Sequence, residues 1–196
     1  NNSVLSSGNW YKLAVTETGI HKLTKSFLTS IGLNVNTLDP KKIKIYGNGG
    51  KMLPEKNKDF RYDDLEETAI RVVLAPDSSF DYALFYATGT TEWVKVNGGK
   101  GLKFQAIKSL YSDTSFYFLN VENSDGKRIT SKNTLSLNPN INTSSYDYYN
   151  YHEENLVNFP KSGRDFYGEY FDLTNVYSFR WSDGGFVTGD SIAAEV

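Results

Sequence analysis

Apolar and polar residues alternate along most of this chain, which is the period of a half-buried strand. In NWYKLAVTETGIHKLT, Trp10, Lys12 and Ala14 fall on one face and Tyr11, Leu13 and Val15 on the other. Glu17-Thr18-Gly19 is placed as a turn and Ile20 to Leu23 as the returning strand, so the stretch reads as a hairpin. The period then changes. Thr24 caps a short helix of about 24–31, with Phe27, Leu28 and Ile31 on one face and Gly32 ending it. Asp39-Pro40 turns the chain into a strand over Lys42–Tyr46.

Further strands are expected over Ala69–Ala75, Tyr82–Thr88 and Glu92–Val96, the last closed by Asn97-Gly98-Gly99. SFYFLNVEN, from Ser115 to Asn123, is apolar on both faces and reads as a central strand. Lys127–Thr130 follows it after a turn, and 131–145 is polar enough to be a loop. Periodicity does not decide between strand and helix in YDYYNYHEENLVNF. Glu169–Asp172, Val176–Trp181 and Phe186–Ala194 are expected as strands. One helix against roughly ten strands predicts a mainly β fold, an antiparallel sandwich or barrel-like domain.

Composition narrows the function. The 196 residues carry a net charge of −2, so there is no basic excess to neutralise phosphates and no nucleic-acid partner is expected. There is no cysteine, which removes disulfides, thiolate metal sites and a cysteine nucleophile from this chain. No apolar run is long enough to cross a bilayer as a helix, and Asn1 to Ser7 lacks the basic and apolar regions of a signal peptide. The abrupt end at SIAAEV, after an apparent strand, reads as a fragment of something longer.

Few residues point to chemistry. KIKIYGNGGKMLP places glycines beside a lysine after a strand, as nucleotide-binding loops do. A Walker-type loop ending at Gly50-Lys51 needs glycine where Ile45 stands, and a dinucleotide loop needs it at Met52. Leu53-Pro54 stands where a phosphate-holding helix would begin. A turn through Asn48-Gly49 is the expectation. Asp63, Asp64, Glu66 and Glu67 lack the glycine of a calcium loop and read as a solvated turn or cap.

The two histidines, His21 and His152, are too far apart in sequence to suggest a zinc site. His152, beside Glu153 and Glu154, reads as a surface residue rather than a catalytic base, and no Gly-x-Ser-x-Gly elbow supports a triad. Catalytic and metal residues are expected to be none, and no cofactor is implied. The distinctive cluster is Tyr146, Tyr148, Tyr149 and Tyr151, around Asp147 and Asn150. Stacking rings with polar neighbours suit a glycan or a protein partner, or alternate rings are simply core.

The order of motifs is itself informative. SGNWYKLAVTETGIHKL, DPKKIKIYGNGGKMLP, RYDDLEETAI, FDYALFYATGTTEW, LYSDTSFYFLNV and YHEENLVNFPKSGRDFYGEYFD follow one another from about Ser7 to Asp172. The series resembles the N-terminal region of PorU proteins, gingipain-type cysteine peptidases that act as signal peptidase and sortase of the type IX secretion system in Bacteroidetes. The resemblance implies an exported protein at the outer-membrane surface. It would cleave C-terminal sorting domains and attach cargo to lipopolysaccharide through a Cys/His pair further along the chain.

No catalytic residue carries over to this chain. The resemblance implies an accessory module over 1–172, with 173–196 opening a following β-domain or closing the same one. Its implied partners are other secretion components, the peptidase domain of the same chain, and lipopolysaccharide.

Overall fold

The computed structural model describes residues 3–98, 101–121, 124–134, 138–159, 161, 163, 165–181, 185, 187 and 189. Two compact units divide the chain, Asn1–Asn142 and Thr143–Val196. The expected boundary after residue 172 falls inside the second unit.

The first unit is mainly β. Its strands are β1 (Trp10–Val15), β2 (Gly19–Thr24), β3 (Ile43–Tyr46), β4 (Glu67–Thr68), β5 (Ile70–Leu74), β6 (Phe80–Ala87), β7 (Thr91–Gly98), β8 (Gly101–Lys108) and β9 (Ser115–Val121), with one helix, α1 (Lys25–Ser30). They form three antiparallel sheets in the orders β1-β9-β3-β4, β2-β6-β5 and β7-β8, and no barrel closes among the described residues. Expectation and structure agree on a mainly β fold with one short helix. Strand β9 is central, flanked by β1 and β3. Strand β8 has no counterpart among the expected elements.

Alternation builds the core. Leu13, Val15, Ile43, Ile45, Tyr117 and Leu119 from the four-stranded sheet meet Leu23, Ile70, Phe80, Ala83, Phe85 and Ala87 from the three-stranded one in a single buried cluster. All but Phe80 are inward members of a period-two pattern, and Phe80 comes into the core through the register shift between Val73 and Leu74. Leu28 of α1 joins them, fully buried, whereas Phe27 stays exposed. The Thr24 hydroxyl accepts from the Phe27 N–H at 3.2 Å, the expected N-cap. Gly32, at φ +93°, ends the helix with its N–H on Thr29 O, while Leu33 N–H reaches Leu28 O.

The expected hairpin over residues 10–23 is corrected. Both strands exist, but β1 pairs with β9 over Trp10↔Asn120 to Val15↔Ser115, and β2 pairs with β6 over Gly19↔Ala87 to Thr24↔Tyr82. The chain crosses from one sheet to the other at Thr16–Thr18. A tight hairpin needs left-handed residues in its loop, and neither Glu17, Thr18 nor Gly19 has positive φ. Gly89 pins the arch instead, donating its N–H to Thr18 Oγ1 at 2.9 Å.

The second unit carries no regular strand among its described residues. Val157 and Tyr167 form an isolated antiparallel bridge. Strands expected at Glu169–Asp172 and Val176–Trp181 are absent there, and Lys127–Thr130 contributes only a parallel bridge from Arg128 to Ile70. Most of the expected strand Phe186–Ala194 lies outside the described residues.

Candidate functional site

Gly47 to Gly50 form a packing joint. The Gly47 N–H donates to Glu66 O at 2.9 Å. The Asn48 side chain donates to Asp64 O and accepts from the Glu66 N–H, both at 2.9 Å. Its amide therefore extends the pairing beyond the point where β3 ends and β4 begins. Gly49 has φ +80°, and a side chain there would meet Thr88 Oγ1 at 2.2 Å. A Cβ on Gly50 would stand 2.5 Å from Ser115 Cβ. The loop lies directly on the core, with no helix after it and no room for a phosphate.

Carboxylates of the DDLEE segment are used as structural acceptors. Asp64 accepts from the Val4 N–H at 2.6 Å, the Leu65 N–H at 2.8 Å and the Ser3 hydroxyl at 3.0 Å, tying residues 3–6 to this turn. The bond from Val4, then that from Leu65, holds its carboxyl below the usual range. Glu67 accepts from the Lys127 N–H. Among the described residues no group of three or more His, Cys, Asp or Glu comes together to hold a metal ion.

The histidines are separate structural elements. His21 lies half-buried on the face of Leu23, its ring 5.6 Å from Phe85, and donates to Glu17 O. In the second unit, His152 bonds Glu169, not its neighbours Glu153 and Glu154. The Nε2···Oε1 distance is 2.6 Å, and Phe179 packs against the ring at 4.2 Å between centroids. This bond pulls the Glu169 carboxyl below its usual range. The side chain of His152 is one-third exposed.

All four tyrosines of the 146–151 cluster are exposed: Tyr146 by 85%, Tyr148 by 51%, Tyr149 by 46% and Tyr151 by 36%. Asn150 links two of these residues, donating to Tyr148 Oη at 3.3 Å and accepting from the Tyr151 N–H at 2.8 Å. Further exposed rings in this unit, Phe159, Tyr167, Tyr170 and Phe171, were not singled out by sequence reasoning. Phe159 contacts Tyr167 and Tyr170 at 5.9 and 5.2 Å. The aromatic density of SGRDFYGEYFD was their signal. In the first unit, two open depressions of about 320 Å³ flank Leu33 and Asn34, away from every candidate residue.

No family model matches the chain, and no curated protein matches it. Among solved structures it is similar to the crystal structure of dimeric latent PorU from Porphyromonas gingivalis, with 26% identity and a TM-score of 0.51. The chain resembles a part of PorU. The match covers 67% of this chain and 11% of that one, so the chain spans about a tenth of the PorU structure. The Cys-free chain carries no thiol of its own to set beside either histidine.

Proposed function

We propose that this chain is a non-catalytic module of a PorU-like protein, one that positions a peptidase domain or contacts secretion partners. The observation that carries this reading is the match to PorU in both fold and sequence, confined to 11% of that chain. The lack of cysteine supports it, because the resemblance assigns the chemistry to a Cys/His pair elsewhere. On this reading the whole protein is exported to the outer-membrane surface, cleaves sorting domains and attaches cargo to lipopolysaccharide. Deleting the region encoding 1–172 and following cargo on cells tests the role. Loss of maturation or attachment is expected. Normal processing of both would remove it.

A second reading is a glycan-binding module for lipopolysaccharide. The exposure of Tyr146, Tyr148, Tyr149 and Tyr151 supports it, since rings needed for the core would be buried. Titration with purified lipopolysaccharide should show binding that Tyr148→Ala and Tyr149→Ala weaken. Identical binding by the variants, or none by the wild type, rejects it.

A further inference from the structure

Strand β2 is an open edge. One side pairs with β6 throughout Gly19–Thr24, and among the described residues no strand pairs with the other. An open edge presents a row of N–H and C=O groups to any extended chain. Natural edges of this kind are commonly short, bulged, covered or guarded by a charged side chain, and here Lys22 is the one charge on the strand. This one is six residues long and regular.

The outer face beside this edge is apolar and exposed. Ile20 is 74% exposed and lies opposite Tyr86, which is 56% exposed. Lys22 and Arg71 are the cross-strand neighbours of Leu84, one on each side. The two cations therefore straddle Leu84 about 10 Å apart, two strand spacings. Lys22 Nζ lies 4.1 Å from the centroid of the Tyr82 ring. The next row is Thr24, Tyr82 and Val73, so the face is apolar between its cations. From Gly19 to Thr24 the edge carries no acid, so a second copy paired edge to edge brings no carboxylate to Lys22.

We propose that β2 receives an extended acidic–apolar segment of a partner protein by strand addition. Backbone pairing supplies affinity and the outward side chains supply selectivity. An apolar side chain of the segment lies beside Ile20. A carboxylate two positions away lies beside Lys22, because outward positions recur every second residue. The inference rests on the reading of this chain as a contact module and names the surface through which it acts.

The test uses the 196-residue chain and a dye-labelled decapeptide built on a Thr-Phe-Thr-Glu repeat, with a second peptide carrying Lys in place of Glu. Fluorescence anisotropy should show the Glu peptide binding about tenfold or more tighter than the Lys peptide, the ratio expected when a like charge replaces an opposite one at a close contact. Lys22→Glu should reverse that order, and Ile20→Asp should weaken both. Amide exchange across Gly19–Thr24 should slow in the complex. Equal binding of the two peptides, absence of binding, or a preference unmoved by Lys22→Glu overturns the proposal. So does a dimer of the chain alone that Ile20→Asp dissociates, since the occupant is then a second copy. If Ile20→Asp does not fold, Lys22→Glu decides alone. Failed peptide binding together with lost cargo maturation on deletion removes the surface and leaves the module reading. Bound peptide with unaffected cargo does the reverse.

Discussion

Gly47 lies directly against the ring of Tyr117: a Cβ on that glycine would stand 2.3 Å from Tyr117 Cδ1. The ring cannot retreat. It is buried in the core, its hydroxyl accepts from the Thr88 N–H at 2.9 Å, and Phe85 packs on it at 5.7 Å. Glycine is required here by contact, not by backbone angle, since Gly47 does not have positive φ. Gly47→Ala should therefore destabilise the first unit by about 1–3 kcal/mol, the usual range for overpacking. Gly19→Ala meets open space and serves as the control. Denaturant melts of the two variants check this, and equal midpoints would show that Tyr117 yields.

Asn48 joins two segments that sequence separates. Its side chain satisfies Asp64 O and the Glu66 N–H together. Asn48→Ala leaves the half-buried Asp64 O and the exposed Glu66 N–H without that partner and should cost about 0.5–1.5 kcal/mol. Asn48→Asp should be no better, because a carboxylate cannot donate to Asp64 O and adds charge beside Asp64 and Glu66. An Asp variant as stable as wild type in urea unfolding contradicts the assigned amide orientation.

Arg128 gathers main-chain oxygens. Its guanidinium donates to Ile43 O at 3.1 Å, Lys127 O at 3.0 Å, Pro40 O at 2.9 Å and also to Lys41 O. A lysine ammonium has three donors on one atom and cannot span these positions. Arg128→Lys should lower stability by about 1–3 kcal/mol, with the loss falling on the start of β3. Amide exchange at Ile43 to Tyr46 reads it directly. Unchanged protection there means the fork is dispensable.

The His152–Glu169 bond makes a pH-dependent prediction. In the folded chain the Glu169 carboxyl titrates below its ordinary value of 4.5, chiefly because His152 bonds the charged form. A depressed carboxyl stabilises the fold above its unfolded pKa, and that contribution disappears as pH falls through the lower folded value. The bond should weaken only as pH falls through that lowered folded value. Carbon-detected NMR of the carboxyl measures the midpoint, which His152→Ala should return to the ordinary range. A midpoint indifferent to His152 assigns the shift to another cause.

Much of the fold was legible in the sequence because local physics decides it. The alternation at Leu13–Val15, at Ile43–Ile45 and through Ser115–Val121 marks buried faces wherever the strands go. Thr24 and Gly32 bracket the helix because a cap and a left-handed stop act within a few residues. The glycine spacing alone excludes a nucleotide loop. The candidate site was less legible. His152 chose Glu169 over the adjacent Glu153 and Glu154, and strand periodicity misjudged 169–181, where aromatic residues gather without pairing into a sheet.

What the sequence by itself determined is the mainly β character, a short helix at about 24–31, the central place of the strand starting at Ser115 and the lack of any thiol in this chain. Only the tertiary structure decided that Trp10–Val15 and Gly19–Thr24 lie in different sheets, and that Gly47 is there for Tyr117. The reason is the range of the interactions. Caps, turns and alternation are set between near neighbours. Strand pairing and side-chain clearance depend on residues that can lie a hundred or more positions away, as Val15 and Ser115 do, and no local pattern encodes them.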